Sequence, residues 1–519
     1  MGHRHPSRRE ILERIPLLGS GSLLLPAWGQ RPDTSAPAII RGAITGADGR
    51  GVAAKVRVVE TGTGRAYFPA NSIKTMPDRP DHPDVKRYFY AKDRYEVAVP
   101  PGRYRIEVVR GIAHAETIGF TEVGSGITHV ADLRIAPLAG WNGAGWYSGN
   151  THTHYHLQID EDPDVRLRTV PPAEALDVSV ISYLIRNDSP YITNRYKVGR
   201  LPEFSRDGTL MDMGEEARNN HTFEGFGYGH VLFLNIPRPI EPVSTGLLSA
   251  GAKVPDFPTL TMLCEQARGM GGTTVWCHNG SGVEVPVAAV LGQVDAYNVA
   301  DGLDADYARY YGLLNCGLRI PVSSGTDWWI YDHNRVYVQT GGAFTYDSWI
   351  AGLRAGRTFV TNGPLVEFTV NGKGPGEVVT SDGRLTVRAK AVSRIRFDRV
   401  ELIQDGEVIA EQSAQGGVVA MLEREVKVSR GGWLALRVVS SAKSHGGARV
   451  FAHTSPVYHR VPETGFRRAS AAGAFVDEIE DSMRLIGKTY RFSSDADRAV
   501  ALGRFRAGRE AFLKIAAAG

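Results

Sequence analysis

Two histidines one residue apart, His152 and His154, close the short apolar run 145–150. In an extended strand residues i and i+2 face the same way, so both imidazoles can converge on one cation. The pair alone is weak evidence, but further groups follow it in order: Glu215-Glu216 after an apolar stretch, His230 at the start of the run 229–234, His278 after 273–277 and Asp327 after 318–324. Each has a plain alternative, since a buried histidine often serves backbone groups and an aspartate after Gly-Thr often caps a helix. The ordered set, each member at a strand end, reads as a metal site at one mouth of a barrel. Imidazole and carboxylate ligands without thiolate suit zinc first, and manganese or iron next. Two divalent ions about 3.5–4 Å apart can share a water, bring its pKa to about 7 and stabilise charge on attacking and leaving oxygens.

The elements that must position these groups follow from hydropathy and turn residues. A chain of 519 residues exceeds one core, so three or more domains are expected. A net charge of +4, spread along the chain, leaves no footprint for nucleic acid. Arg8-Arg9 ahead of the modestly apolar 15–28 resembles a twin-arginine export signal, which sets residues 1–30 apart and implies a periplasmic or secreted protein. Pro16 and Pro26 break that run, so no transmembrane segment is expected. Residues 38–137 read as a small β-sandwich with a Pro- and Asp-rich loop at 77–83, and Pro100-Pro101-Gly102 before Tyr104 resembles carboxypeptidase-regulatory-like modules. The middle, 140–362, alternates strands with helices at 257–269 and 345–355, interrupted by loops at 156–175, 186–208 and 280–312. Alternation returns over 363–463, predicting a second sandwich, and 474–516 reads as two amphipathic helices, the second started by Ser494 or Asp495. Cys264, Cys277 and Cys316 lack zinc-site spacing and read as small buried residues, with one disulfide left open.

The middle of the chain resembles the polymerase-and-histidinol-phosphatase (PHP) superfamily, and within it the CehA/McbA, or carbaryl-hydrolase-like, metallohydrolases. The segments that carry the resemblance are Gly149-Asn150-Thr151-His152-Thr153-His154, Gly214-Glu215-Glu216, Tyr228-Gly229-His230, Trp276-Cys277-His278-Asn279, Ser324-Gly325-Thr326-Asp327 and Gly356-Arg357-Thr358-Phe359-Val360-Thr361-Asn362-Gly363-Pro364. It covers roughly residues 140–380 and implies a distorted (β/α)7 barrel with the metal site at the C-terminal strand ends. The expected architecture is therefore multidomain α/β plus all-β, the barrel flanked by the two sandwiches and a helical tail. The family's pattern implies one metal on His152, His154, Glu216 and Asp327. Glu216 bridges to a second metal on His230 and His278, with Glu215 and His221 the runners-up for Glu216 and His230. Many members add a third metal, but here the corresponding stretches read Gln158-Ile159-Asp160-Glu161, Ser182 to Asp188 and Asp327-Trp328-Trp329, without the extra imidazoles. A two-metal centre is the expectation.

The implied activity is hydrolysis by a metal-bridging hydroxide of an ester, amide or carbamate bond in a small molecule. Asp327 is expected to orient the hydroxide or take its proton, alongside Glu216. Tyr183, Arg186, His156 and Trp328 occupy the region of the third metal and can supply an acid or an oxyanion donor. Two alternatives stand beside this reading: a phosphoesterase, with Arg186 and Arg195 compensating for the missing ion, and a non-catalytic exported protein that binds glycans or surfaces. The partner is a small-molecule substrate and not nucleic acid, and the oligomeric state is left open.

Overall fold

Strand Trp146–Asn150 pairs in parallel with Val178–Tyr183, which pairs in parallel with Leu210–Asn219. Gly229–Leu234 then runs antiparallel to Leu210–Asn219 and to Thr273–Trp276. Ala296–Asp301 and Val322–Gly325 complete the run in parallel. The result is a large curled sheet in a mixed α/β fold. The computed structural model describes residues 37–518 apart from 76–85, 156–161, 187–190, 207, 222–226, 302–303, 328–333, 445–446 and 467–468. The export signal, the loop 77–83, His156 and Trp328 lie outside the described residues.

The curled strands are buried on both faces, as in Val178–Tyr183 and Gly229–Leu234, because helices cover the outside. Helix Tyr346–Arg354 starts with a capping box, in which Thr345 accepts the Ser348 N–H and Ser348 accepts that of Thr345. Helix Leu260–Gly269 begins later than its apolar pattern, after Pro258 and the cap residue Thr259. The tail forms helices Ala469–Thr489 and Asp495–Ala518. Ser494 caps the second by accepting the Asp497 N–H. Phe475 and Phe512 stack at 5.1 Å, and the tail's apolar stripe joins the core of the curled sheet through Val287 and Leu313.

The expected loop 280–312 is largely structured: it holds helix Val285–Val290, strand Ala296–Asp301 and the start of helix Ala308–Asn315. A six-residue strand buried on both faces shows no alternation, so periodicity misses it. Likewise 156–175 contains helix Pro163–Ala173, and 186–208 contains the short turn Ile192–Arg195.

Between Ala38 and Arg134 two small sheets share one core, with Ile40 and Val97 from one and Val56 and Ile106 from the other. Lys55 of this region reaches the body: its Nζ lies 2.7 Å from Glu174 Oε1, and Tyr90 donates to the same oxygen at 3.0 Å. Arg335 donates to the Glu174 carbonyl at 2.7 Å. After residue 363 the chain returns to β structure. Its strand Ala452–Thr454 pairs with Thr358–Thr361, so the ladder crosses the expected boundary without a break. A three-stranded sheet (Leu365–Val370, Arg384–Val392, Val419–Lys427) shares an apolar core with these strands. No helix of the described residues is long and apolar enough to cross a membrane.

Candidate metal centre

The curled sheet closes where His152 and His154 meet Asp327. The Thr326 N–H donates to the His152 carbonyl at 3.1 Å, and the His154 N–H donates to the Asp327 carbonyl at 2.8 Å. Gly325 permits this approach, because a Cβ there would stand 2.5 Å from the His152 Cβ. The parallel strands all finish at this mouth, delivering His152, His154, His278 and Asp327. Gly229–Leu234 runs the other way, so its start, with His230, lies at the same end. Glu216 lies on Leu210–Asn219, two residues before Arg218, which is paired with His230. Strand alternation thus turns Glu216 toward the histidines and Glu215 away.

Six side chains gather here. His152 Nε2 and His154 Nε2 are 2.9 Å apart, and they lie 3.7 and 2.9 Å from Glu216 Oε2. Asp327 Oδ1 lies 3.4 Å from the first nitrogen and 3.7 Å from the second. Ligands held about 2.0–2.1 Å from a tetrahedral ion stand about 3.3–3.4 Å from one another, and the separations within the group His152, His154 and Glu216 straddle that value, with Asp327 set against the two imidazoles. The other oxygen of Glu216, Oε1, lies 2.8 Å from His230 Nδ1 and 3.6 Å from His278 Nε2, forming a second group of three. Glu216 belongs to both groups.

The outer nitrogens are held. His154 Nδ1 is 3.0 Å from the Ser182 carbonyl, which can only accept, so Nδ1 carries a proton and Nε2 is the nitrogen turned inward. His152 Nδ1 is fixed in the same way by Asp301 Oδ2 at 2.8 Å, and His230 Nε2 bonds to Asn220 Oδ1. Asp301 is itself held by Asn298 at 3.2 Å and lies 3.6 Å from His278 Nδ1. Such outer partners fix tautomer and ring orientation in metal sites. Burial would raise Glu216, yet Arg218, His230 and bonds from His152 and His154 hold it well below the ordinary carboxylate range. Burial takes His230 down to about 3, which keeps it neutral. His152 goes the other way: against burial, Asp301 raises it well above the ordinary imidazole value. Two of the six residues sit in the left-handed region, His278 at φ 50° and Asp327 at φ 62°. Backbone strain of this kind collects at functional sites.

Other expected residues fall elsewhere. Glu215 accepts the Ile240 N–H at 2.6 Å on the far side of the strand, and burial pushes its pKa to about 8. His221 lies 3.1 Å from Asp256 and stacks on Tyr490 at 4.3 Å, away from the cluster. Tyr183 is paired in register with Glu215, which puts it on the face opposite Glu216, against the apolar core. This correction follows from alternation, which the loop-like spacing past Ser182 conceals. Arg186 is half-buried just past the strand end and bonds to the Tyr191 phenol. Arg195 forms a surface ion pair with Asp164.

Three residues at the site were missed by sequence reasoning. Asp301 ends a strand that was taken for loop. Arg218 follows Glu216 at the strand's own period. Cys277, beside His278, lies within 4.8 Å of His152, His278 and Asp301 ligand atoms. A carboxylate closing the run 296–301 was the readable signal for the first. All three cysteines are buried and free.

Buried groups of histidine, glutamate and aspartate that can hold a metal ion are thus in place. No family model matches this chain, and no curated protein matches it. Among solved structures it is similar to the Bacillus anthracis TIE protein, at 6% identity and a TM-score of 0.15, over 83% of this chain and 51% of that one. An engineered protein, a structural genomics target, aligns at 10% identity and the same TM-score of 0.15, over 57% of this chain and 52% of its own. At those scores neither likeness bears on fold or function.

Proposed function

We propose that the chain is a metal-dependent hydrolase with a two-metal centre, zinc first and manganese or iron next, acting on an ester, amide or carbamate bond of a small molecule. The reading is that of the PHP superfamily and its carbaryl-hydrolase-like branch, with a barrel of that type. The observation that carries it is the inward-facing set of nitrogens and carboxylate oxygens. His152 and His154 bring their Nε2 atoms to 2.9 Å from each other and to 2.9–3.7 Å from carboxylate oxygens, a buried gathering of potential ligand atoms that one cation would satisfy together.

His152, His154, Glu216 and Asp327 would hold one ion, and Glu216, His230 and His278 the other. Bound there, the ions would supply an acidified water and polarise the scissile carbonyl. Asp327, 19% exposed where the other ligands are closed off, is the group that would be placed to take the proton released during attack. Asp301 and Ser182 keep the imidazoles in the ligating tautomer while that proton moves. Glu216, shared by the two groups, is buried and would keep bulk water away from them.

Metal analysis of purified protein tests this. Two equivalents are expected in the wild type, with a clear drop in both His152→Ala and His278→Ala and parallel loss of aryl ester or aryl carbamate hydrolysis. Wild-type protein that holds no metal after reconstitution would end the proposal.

A further inference from the structure

Arg218 is a buried cation at this mouth that the two-metal reading does not use. It follows Glu216 by two residues on Leu210–Asn219, shares its face, and is paired in register with His230. Its side chain is 8% exposed. Among the described residues its guanidinium makes a single ion pair, Nη1 to Glu216 Oε2 at 3.7 Å, too long for a hydrogen bond, and its Nε is buried without an acceptor. A guanidinium carries five donors in a planar fork and does not release its proton. Buried Arg335 shows the usual solution, with a main-chain acceptor at 2.7 Å.

Loading the site sharpens the problem. Two divalent cations would set four positive charges against the carboxylates of Glu216, Asp327 and Asp301, and Arg218 adds a fifth. With a shared hydroxide the centre would be balanced without Arg218, so this buried cation needs a negative partner of its own, and among the described residues its only ion pair is with the ligand carboxylate that the ions would claim. The Tyr191 phenol, whose ring lies 5.7 Å from that of His154, and Arg186 beside it extend the same donor-rich side of the mouth.

Resting on the hydrolase reading, we infer that Arg218 is an anion anchor: it holds a negatively charged oxygen, of a carboxylate or a phosphate, on the substrate next to the scissile bond. The enzyme therefore selects acidic substrates over neutral ones of the same size. The planar fork matches such an oxygen pair, which a lysine would meet only as a point charge.

The test compares metal-loaded wild type, Arg218→Lys and Arg218→Met on 4-nitrophenyl acetate, mono-4-nitrophenyl glutarate and 4-nitrophenyl phosphate, and measures binding of inorganic phosphate by calorimetry. In wild type one of the two anionic substrates should exceed the neutral ester in kcat/KM by about tenfold or more, and Arg218→Met should bring the ratio near one, with Arg218→Lys between. Phosphate should bind about tenfold more weakly to Arg218→Met with metal content intact. Preference for the glutarate identifies a carboxylate as the anchored group, and preference for the phosphate identifies a phosphoester. An unchanged ratio in Arg218→Met, or equal loss on all substrates with unchanged phosphate affinity, would make Arg218 a support for Glu216 and overturn the inference. Metal-loaded wild type that cleaves the neutral ester best defeats this inference alone. Wild type without metal or turnover defeats the hydrolase reading and this one with it.

Discussion

The mouth of the curled sheet and the seam around Glu174 are both buried and both charged, and they are built on opposite plans. At the seam, donors meet acceptors: Lys55 at 2.7 Å, Tyr90 at 3.0 Å and the Arg335 guanidinium on the main chain at 2.7 Å. Nothing further is needed there. At the mouth, six potential metal ligands crowd together, and the outer nitrogens of His152, His154 and His230 are committed to Asp301, Ser182 and Asn220. Charge is buried at the seam to join two parts of one fold, and at the mouth to leave room for something from outside. The contrast separates a structural cluster from a binding one where burial alone does not.

The largest expected effect lies at the seam. Glu174→Gln leaves Lys55 and Arg335 without their countercharge and should cost about 3–5 kcal/mol in urea unfolding, equally with and without a chelator. A loss that depended on chelation would merge the two regions. At the mouth, Asp301→Asn should weaken metal affinity about 10–100-fold by releasing the His152 ring, with little change in metal-free stability. Competition with a chromophoric chelator measures it, and unaltered affinity would remove Asp301 from the site. The effect that vanishes at neutral pH concerns His453, a buried histidine on the seam's plan, with Nε2 taking the Tyr311 hydroxyl at 2.7 Å and Nδ1 donating to the Thr454 carbonyl at 2.7 Å. Burial lowers its pKa from 6.5 to about 3. The unfolded chain therefore binds a proton that the folded chain refuses between those values. Stability is whole above pH 6.5 and falls as pH drops toward 3, by at most about 1.4 kcal/mol per pH unit. His453→Gln should flatten the acid limb of a stability-against-pH curve by one proton, and an unchanged slope would contradict the assignment.

How much of this was legible in the sequence depended on periodicity. His152 and His154 stand out because a strand's two-residue repeat puts both on one face, and His278 and Asp327 because each follows a recognisable apolar run. The same repeat, applied to Leu210–Asn219, separates Glu216 from Glu215 only once the inward face is known. His221 and His230 could not be told apart by spacing, since the choice turns on Gly229–Leu234 running antiparallel, a fact of topology and not of composition. Asp301 was hidden because Ala296–Asp301 is buried on both faces and looks like neither an alternating strand nor a helix. Arg218 was passed over for a chemical reason: an arginine in a strand reads as a surface residue until its neighbours are known.

The main-chain bridge between 152–154 and 326–327 is made by the same residues that carry the candidate ligands. Thr326 and His154 supply the two main-chain links, flanked by His152 and Asp327. If the centre holds metal, stripping it would remove the tie among the side chains astride these two bonds, so the two amides should then exchange faster with deuterated solvent, and reloading should slow them again. Evolution inherits the same constraint. Loops elsewhere around the rim can drift freely, whereas changes at this junction put the ligand cluster and the fold at risk together.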